Sequence, residues 1–201
     1  MPSTLLPWHK ITLSMSRAQY LRHLSSPQSH QEPADKLSVG VCMFQIDVRT
    51  GRPSVLLLRR SEQWSQDGKR GGWELPGGKV EAGDWCLTEA IRRTVEEETG
   101  LQVQKIMGVL QETRRTSEIK VLEWDDEDDA SDGAELRVIR KKHLQLNVAV
   151  LVESTDEVAL RLREHDDLMW AGFRCVEELV MDPELRRVVY QALAWAGEYL
   201  C

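Results

Sequence analysis

The segment that most constrains this 201-residue chain is a glycine turn running straight into a helix. Gly77-Gly78-Lys79-Val80-Glu81-Ala82-Gly83-Asp84 is tight-turn chemistry around short strands. After it Leu87, Ala90, Ile91 and Val95 recur at helical spacing and Gly100 takes the C′ position, which predicts a helix over 87–99. Residues three and four apart share a helix face, so positions 94, 97 and 98 point in nearly the same direction. Glu97 and Glu98 flank that direction, with Glu98 next to the apolar stripe, so both carboxylates belong at the edge of the core. Two carboxylates on one rigid helix suit a hard cation such as Mg²⁺. Arg93, one turn before Glu97 and one turn after Glu89, is placed to orient a carboxylate, while Glu89 and Glu96 face elsewhere. The helix alone does not distinguish this from an ordinary charged amphipathic helix.

The rest of the chain reads around that unit. Val39, Val41 and Met43 alternate with their neighbours, a turn spans 47–53, and Val55-Leu56-Leu57-Leu58 continues as a second strand, which makes a β-hairpin. Residues 61–72 form a polar loop that carries Trp64. Residues 103–110 are strand-like, a long charged loop is expected next, and Leu144, Leu146, Val148, Val150 and Val152 alternate as another strand. Val158, Leu160 and Leu162 predict a further short strand, and 168–173 another. A closing helix begins at Pro183 after Asp182 as N-cap and buries Leu185, Val188, Val189, Ala192 and Trp195. Strands with one central and one terminal helix indicate an α/β or α+β sandwich. The expected division is an N-terminal arm over 1–36 and one domain over 37–201.

Charge is local in this chain. Eight acidic residues and no Lys or Arg fall within 123–135; without them the net charge of −7 becomes +1. A near-neutral body with one acidic loop argues against a nucleic-acid-coating role. No apolar run approaches the roughly 20 residues of a membrane span. Cys42, Cys86, Cys175 and Cys201 are scattered without a CxxC pair, which favours free thiols in a reducing, cytoplasmic setting. The first 31 residues lack Asp and Glu, a composition that also suits a mitochondrial presequence. The reading preferred here is an arm whose Ile11, Met15, Ala18 and Leu21 stripe docks a short helix on the body. Such an arm, with long strands, is compatible with a homodimer.

Turn and helix together resemble the Nudix box. That family's pattern is Gly, five residues, Glu, seven residues, then Arg-Glu-U-x-Glu-Glu-x-Gly-U, where U is a bulky aliphatic residue. Gly78, Arg93, Val95, Glu97, Glu98, Gly100 and Leu101 fit it, and Asp84 stands in for the first Glu. Eight residues, not seven, separate Asp84 from Arg93, and the extra one falls before Ala90. Trp73-Glu74-Leu75-Pro76 upstream and Glu164-His165 with Trp170 downstream look like the family's flanks. The resemblance implies an α/β/α sandwich with a mixed sheet, and hydrolysis of a nucleoside diphosphate linked to a group X, or of a related organic diphosphate, with Mg²⁺ or Mn²⁺. By motif the backbone of Gly78 and the carboxylates of Glu97 and Glu98 hold the metal, and Arg93 orients the acidic side chains. Lys79, Trp64 and Trp85 stand on the substrate side, the two tryptophans able to stack on a base or an apolar group. A small-molecule diphosphate is the partner this implies, with no nucleic acid and no membrane.

The departure lies at Thr94, where the family has a Glu that binds metal and often acts as the base. A neutral hydroxyl does not replace that charge, and a missing base commonly costs about 10²- to 10⁴-fold. Glu112, Glu118 or a carboxylate of 123–135 are the candidates to compensate, and the orientations of Lys79 and Glu81 are open. Besides an active hydrolase, two alternatives follow: a repurposed enzyme acting as isomerase or cyclase, and a non-catalytic ligand-binding module. Two further features stand open between function and structure. Arg137, Arg140, Lys141, Lys142 and His143 either meet phosphates or pair with the acidic loop, and Glu164-His165 is either an acid–base pair or structural. A Walker A loop is excluded, because Trp73 lies five residues before Gly78 and Val80 follows Lys79.

Overall fold

Apolar alternation from Leu37 to Met43 produces β1 (Lys36–Ile46), the strand on which the architecture turns. Leu37, Val39, Val41 and Met43 enter one core cluster, whereas Cys42 and Phe44 enter a second on the opposite face. The computed structural model describes residues 7–25, 34–62, 71–123, 135–161 and 164–201; Trp64, Leu162 and the inner acidic segment 124–134 lie outside the described residues.

The second half of β1 turns into β2 (Pro53–Arg60) as the expected hairpin, pairing Phe44 with Val55 and Ile46 with Pro53. Asp47 fixes the turn by accepting from the Arg49 and Thr50 N–H groups at 2.9 and 2.8 Å. The first half of β1 pairs antiparallel with β4 (Gly77–Lys79) and parallel with β6 (Glu135–Val152), which makes the sheet mixed. β5 (Val103–Glu123) completes that side, while β3 (Trp73–Glu74) and β7 (His165–Ala171) flank β2.

Helices cover both faces. On one, α3 (Leu87–Thr99) buries Leu87, Ala90, Ile91 and Val95 in a cluster shared with Leu13, Tyr20 and Leu24 of α1 (Pro7–Ser14) and α2 (Arg17–Leu24). On the other, α4 (Phe173–Glu178) and α5 (Pro183–Tyr199) contribute Val176, Leu185, Val188, Val189 and Ala192. Asp182 caps α5 by accepting from the Glu184 and Leu185 N–H groups at 2.9 and 3.1 Å, with Pro183 in the first turn. The α/β/α sandwich is therefore the fold. Trp73 is buried, and Trp170 and Trp195 pack against the two clusters. All four cysteines are free thiols, and no described helix is long and apolar enough to cross a membrane.

Three local expectations are corrected. The charged sequence after residue 110 is no loop: β5 and β6 stay paired from Val103↔Val152 to Glu123↔Glu135. Cross-strand partners sustain the ladder, with Arg140 donating to Glu118 at 3.0 Å and Ser117 bonded to His143 at 2.9 Å. Residues 158–160 form no strand despite their alternation, because their backbone serves the end of α3 instead. Phe173 opens α4 and does not extend β7.

Candidate functional site

The glycine turn lies flat on β1 because it has no side chain to lift it. A Cβ on Gly77 would come within 2.4 Å of the Val39 carbonyl oxygen, so only glycine lets β4 pair there. From that turn the chain loops to α3, whose end is sealed by other parts of the fold. Gly100 adopts φ 73° and donates to Glu96, while Ala159 and Arg161 donate their N–H groups to the carbonyls of Thr99 and Glu98 at 3.1 Å each.

Arg93 ties turn and helix together. It donates to both Asp84 oxygens at 2.9 and 2.8 Å, to the Lys79 carbonyl at 3.0 Å and to Glu97 at 3.0 Å. Asp84 is buried, and the Arg93 guanidinium holds its carboxyl below the usual range. Asp84 thus fills the place of the longer Glu, taking the Glu81 N–H as well at 2.7 Å. The same bonds orient Glu97, which stays half exposed on its helix face.

Glu98 is the opposite case. Only 6% of it is exposed, and it accepts the Gly77 N–H at 2.8 Å. Burial pushes its pKa up to about 7, the Gly77 bond opposing the shift. Thr94, one turn earlier, is 2% exposed and its Oγ1 has no hydrogen-bond partner. It packs beneath Gly78, where a Cβ would lie 3.0 Å from that oxygen. So the position where the family carries a Glu is filled here by a short neutral side chain against the turn.

A group that sequence reading missed stands beside this edge. Glu74 accepts from Arg60 at 2.8 Å and shares a 2.8 Å hydrogen bond with the buried ring of His165. Burial pushes the Glu74 carboxyl up, but His165 and Arg60 together outweigh it and hold the group below its usual value. The carboxylates of Glu74 and Glu164 add to the upward push on Glu98. Glu74 was visible only as part of a flank, since its partner lies 91 residues away. The other sequence candidates are dispersed. Lys79 is exposed, Trp85 is 85% exposed, and Trp64 lies outside the described residues. Glu112 is taken up by the Tyr20 hydroxyl and Arg114, and Glu118 by Arg140. Among the described residues no three His, Cys, Asp or Glu side chains converge as a metal cage.

The sequence profile of the NUDIX domain matches residues 36–195. Among solved structures, the NUDIX domain of Shewanella oneidensis NrtR complexed with ADP ribose superposes with a TM-score of 0.55 at 19% identity, covering 90% of this chain and 99% of that one. The MutT protein from Methanosarcina mazei Go1 gives 0.51 at 23% identity, covering 78% and 91%. A C. elegans Ap4A hydrolase gives 0.50 at 16% identity, covering 82% and 99%. At these identities the likeness is one of fold. No curated protein matches the chain in sequence.

Proposed function

The chain belongs to the NUDIX domain family, and from that premise we propose that it hydrolyses the phosphoric anhydride of a nucleoside diphosphate-X or another organic diphosphate. The observation that carries this reading is the Arg93 clamp. By gripping Asp84, the Lys79 carbonyl and Glu97 at once, it fixes the glycine turn against the carboxylate edge of α3. Positioning of this kind is most of what a protein contributes to phosphoryl chemistry.

The donors at that edge are all oxygen, which fits a hard divalent cation such as Mg²⁺ or Mn²⁺. Glu97, Glu98 and the backbone of Gly78 would hold it. When bound, such an ion screens the diphosphate and polarises the attacked phosphorus. The chain's own part is then specific. Gly77 N–H holds one Glu98 oxygen in place, and Arg93 keeps Glu97 turned toward the edge. Lys79 and Trp85 extend outward from the turn, where a charged group and an aromatic face suit the phosphates and the rest of the substrate.

Thr94 favours a second reading, a ligand-binding module without turnover, because its buried hydroxyl leaves two box carboxylates where the family has three. One experiment separates the two: Mg²⁺- and Mn²⁺-dependent hydrolysis of ADP ribose, the ligand of the NrtR domain, read as AMP and ribose phosphate, and of nucleoside and isoprenoid diphosphates, read as released phosphate. Turnover that falls at least about 10²-fold in Glu98→Gln supports hydrolysis. Ligand-dependent stabilisation with no turnover on any of them, and no effect of Glu97→Gln or Glu98→Gln, would replace it with the binding reading.

A further inference from the structure

The N-terminal arm lies outside the span matched by the family profile, 36–195, yet it meets α3 where that helix begins. This is also where the chain carries its extra residue, eight between Asp84 and Arg93 instead of seven. A helix start leaves backbone N–H groups without intrahelical acceptors. Here Cys86 occupies the N-cap, and its side chain makes no capping bond. The arm supplies one acceptor, the Met15 carbonyl, which takes the Leu87 N–H at 2.9 Å, and its Leu13 carbonyl also takes the Thr88 side-chain hydroxyl at 3.1 Å.

The piece of arm that presents those carbonyls is itself fixed. Met15 N–H returns to Thr12 O at 3.1 Å, and Ser16 with Gln19 forms a reciprocal capping box at the start of α2. Leu13, Tyr20 and Leu24 are buried in the cluster that holds Leu87, Ala90 and Ile91. Two polar ties add to this: Tyr20 donates its hydroxyl to Glu112 on β5, and Arg17 reaches the Asp35 carbonyl at 3.1 Å. The arm is therefore bonded to β5, to the entrance of β1 and to the first turn of α3 at once.

We propose that this arm is a positioning element of the box helix. By holding the first turn of α3 it sets where the helix stands along its axis, and so where Glu98 meets the Gly77 N–H at the other end. Leu87 and Glu98 are separated by about 16 Å of helix, a rigid span that carries a displacement at one end to the other. The Arg93 clamp fixes the middle of α3 to the turn; the arm fixes its beginning to the body of the fold. The importance of that seat for chemistry rests on the hydrolase reading, but the positioning itself is readable without any turnover.

Amide hydrogen exchange on the full chain tests it, comparing wild type with the Tyr20→Phe, Thr88→Val double variant. Both changes preserve shape and remove the arm's side-chain ties to β5 and α3, leaving the Arg17–Asp35 bond in place. The expected result is acceleration of roughly tenfold or more at the Leu87 amide and also at the distant Gly77 amide, with Leu56, Leu57 and Leu58 of β2 unchanged. Restoring the hydroxyl with Thr88→Ser, in the Tyr20→Phe background, should recover part of the protection at both sites. Faster exchange at Leu87 with Gly77 unmoved would reduce the arm to a local cap, and no change at either would detach it from the helix; each outcome overturns the proposal. Should the double variant open globally, so that the β2 amides accelerate too, the unmodified chain in low urea decides. Tyr20, Leu87 and Gly77 must then share one opening event below global unfolding, and Gly77 opening only together with β2 would contradict the proposal.

Discussion

At Arg93 every guanidinium nitrogen finds an acceptor, on Asp84, Lys79 or Glu97, whereas one residue further on Thr94 buries a hydroxyl that has none. Both residues lie on the same helical turn and both face the glycine turn before it. The contrast teaches that the frame of the site and its chemical edge are separable. Charge at 84 and 93 is needed to hold turn and helix together, because Asp84 is buried and must be compensated. Charge at 94 is not needed for the fold, since a threonine fills the space under Gly78 without it.

The largest effect should come from breaking the finished flank. Arg93→Met removes all four bonds and leaves Asp84 buried with no cation, so a urea unfolding series should show a loss of about 3 kcal/mol together with loss of any hydrolysis. Stability equal to wild type would mean that the clamp holds nothing.

Glu98 sharpens the comparison from the side of the edge. Its folded pKa of about 7 lies above the ordinary 4.5, so the protonated form favours the folded state. Its contribution is full below pH 4.5 and is lost as pH rises through 7. In metal-free buffer the stability difference between wild type and Glu98→Gln should therefore move by roughly 3 kcal/mol in favour of the glutamine across that window. A difference independent of pH would mean that Glu98 is solvated and not seated on Gly77. The smallest effect is at the unpartnered hydroxyl: Thr94→Val should raise stability by about 1 kcal/mol, because it removes a buried polar group that bonds nothing. A loss of stability in that variant would show that the hydroxyl has a partner after all.

What the sequence made legible is what local chemistry decides. The stripe of α3, its stop at Gly100, the β1–β2 hairpin and the Asp182–Pro183 start of α5 depend on residues within a few positions of one another, and all are found where expected. The clamp was legible in outline for the same reason, since Arg93 and Glu97 share a helix face. Distant pairings were not. Residues 158–160 alternate like a strand, yet their neighbours leave their N–H groups facing the open end of α3, which has carbonyls to satisfy. The Glu74–His165 bond and the arm's grip on Leu87 join residues with no shared sequence signal. The persistence of β5 and β6 through charged sequence depends on cross-strand partners that no single strand reveals.

On the hydrolase reading proposed above, one carboxylate at position 94 separates this site from a fully equipped one. The direct measurement is Mg²⁺-dependent hydrolysis by Thr94→Glu beside wild type, read as AMP and ribose phosphate from ADP ribose and as released phosphate from the terminal diphosphates of the panel, with folding of both confirmed by their unfolding transitions. The expected result is a gain of about 10²- to 10⁴-fold that is abolished by Glu98→Gln in the same background. A folded Thr94→Glu protein that hydrolyses these substrates no faster than wild type would contradict it.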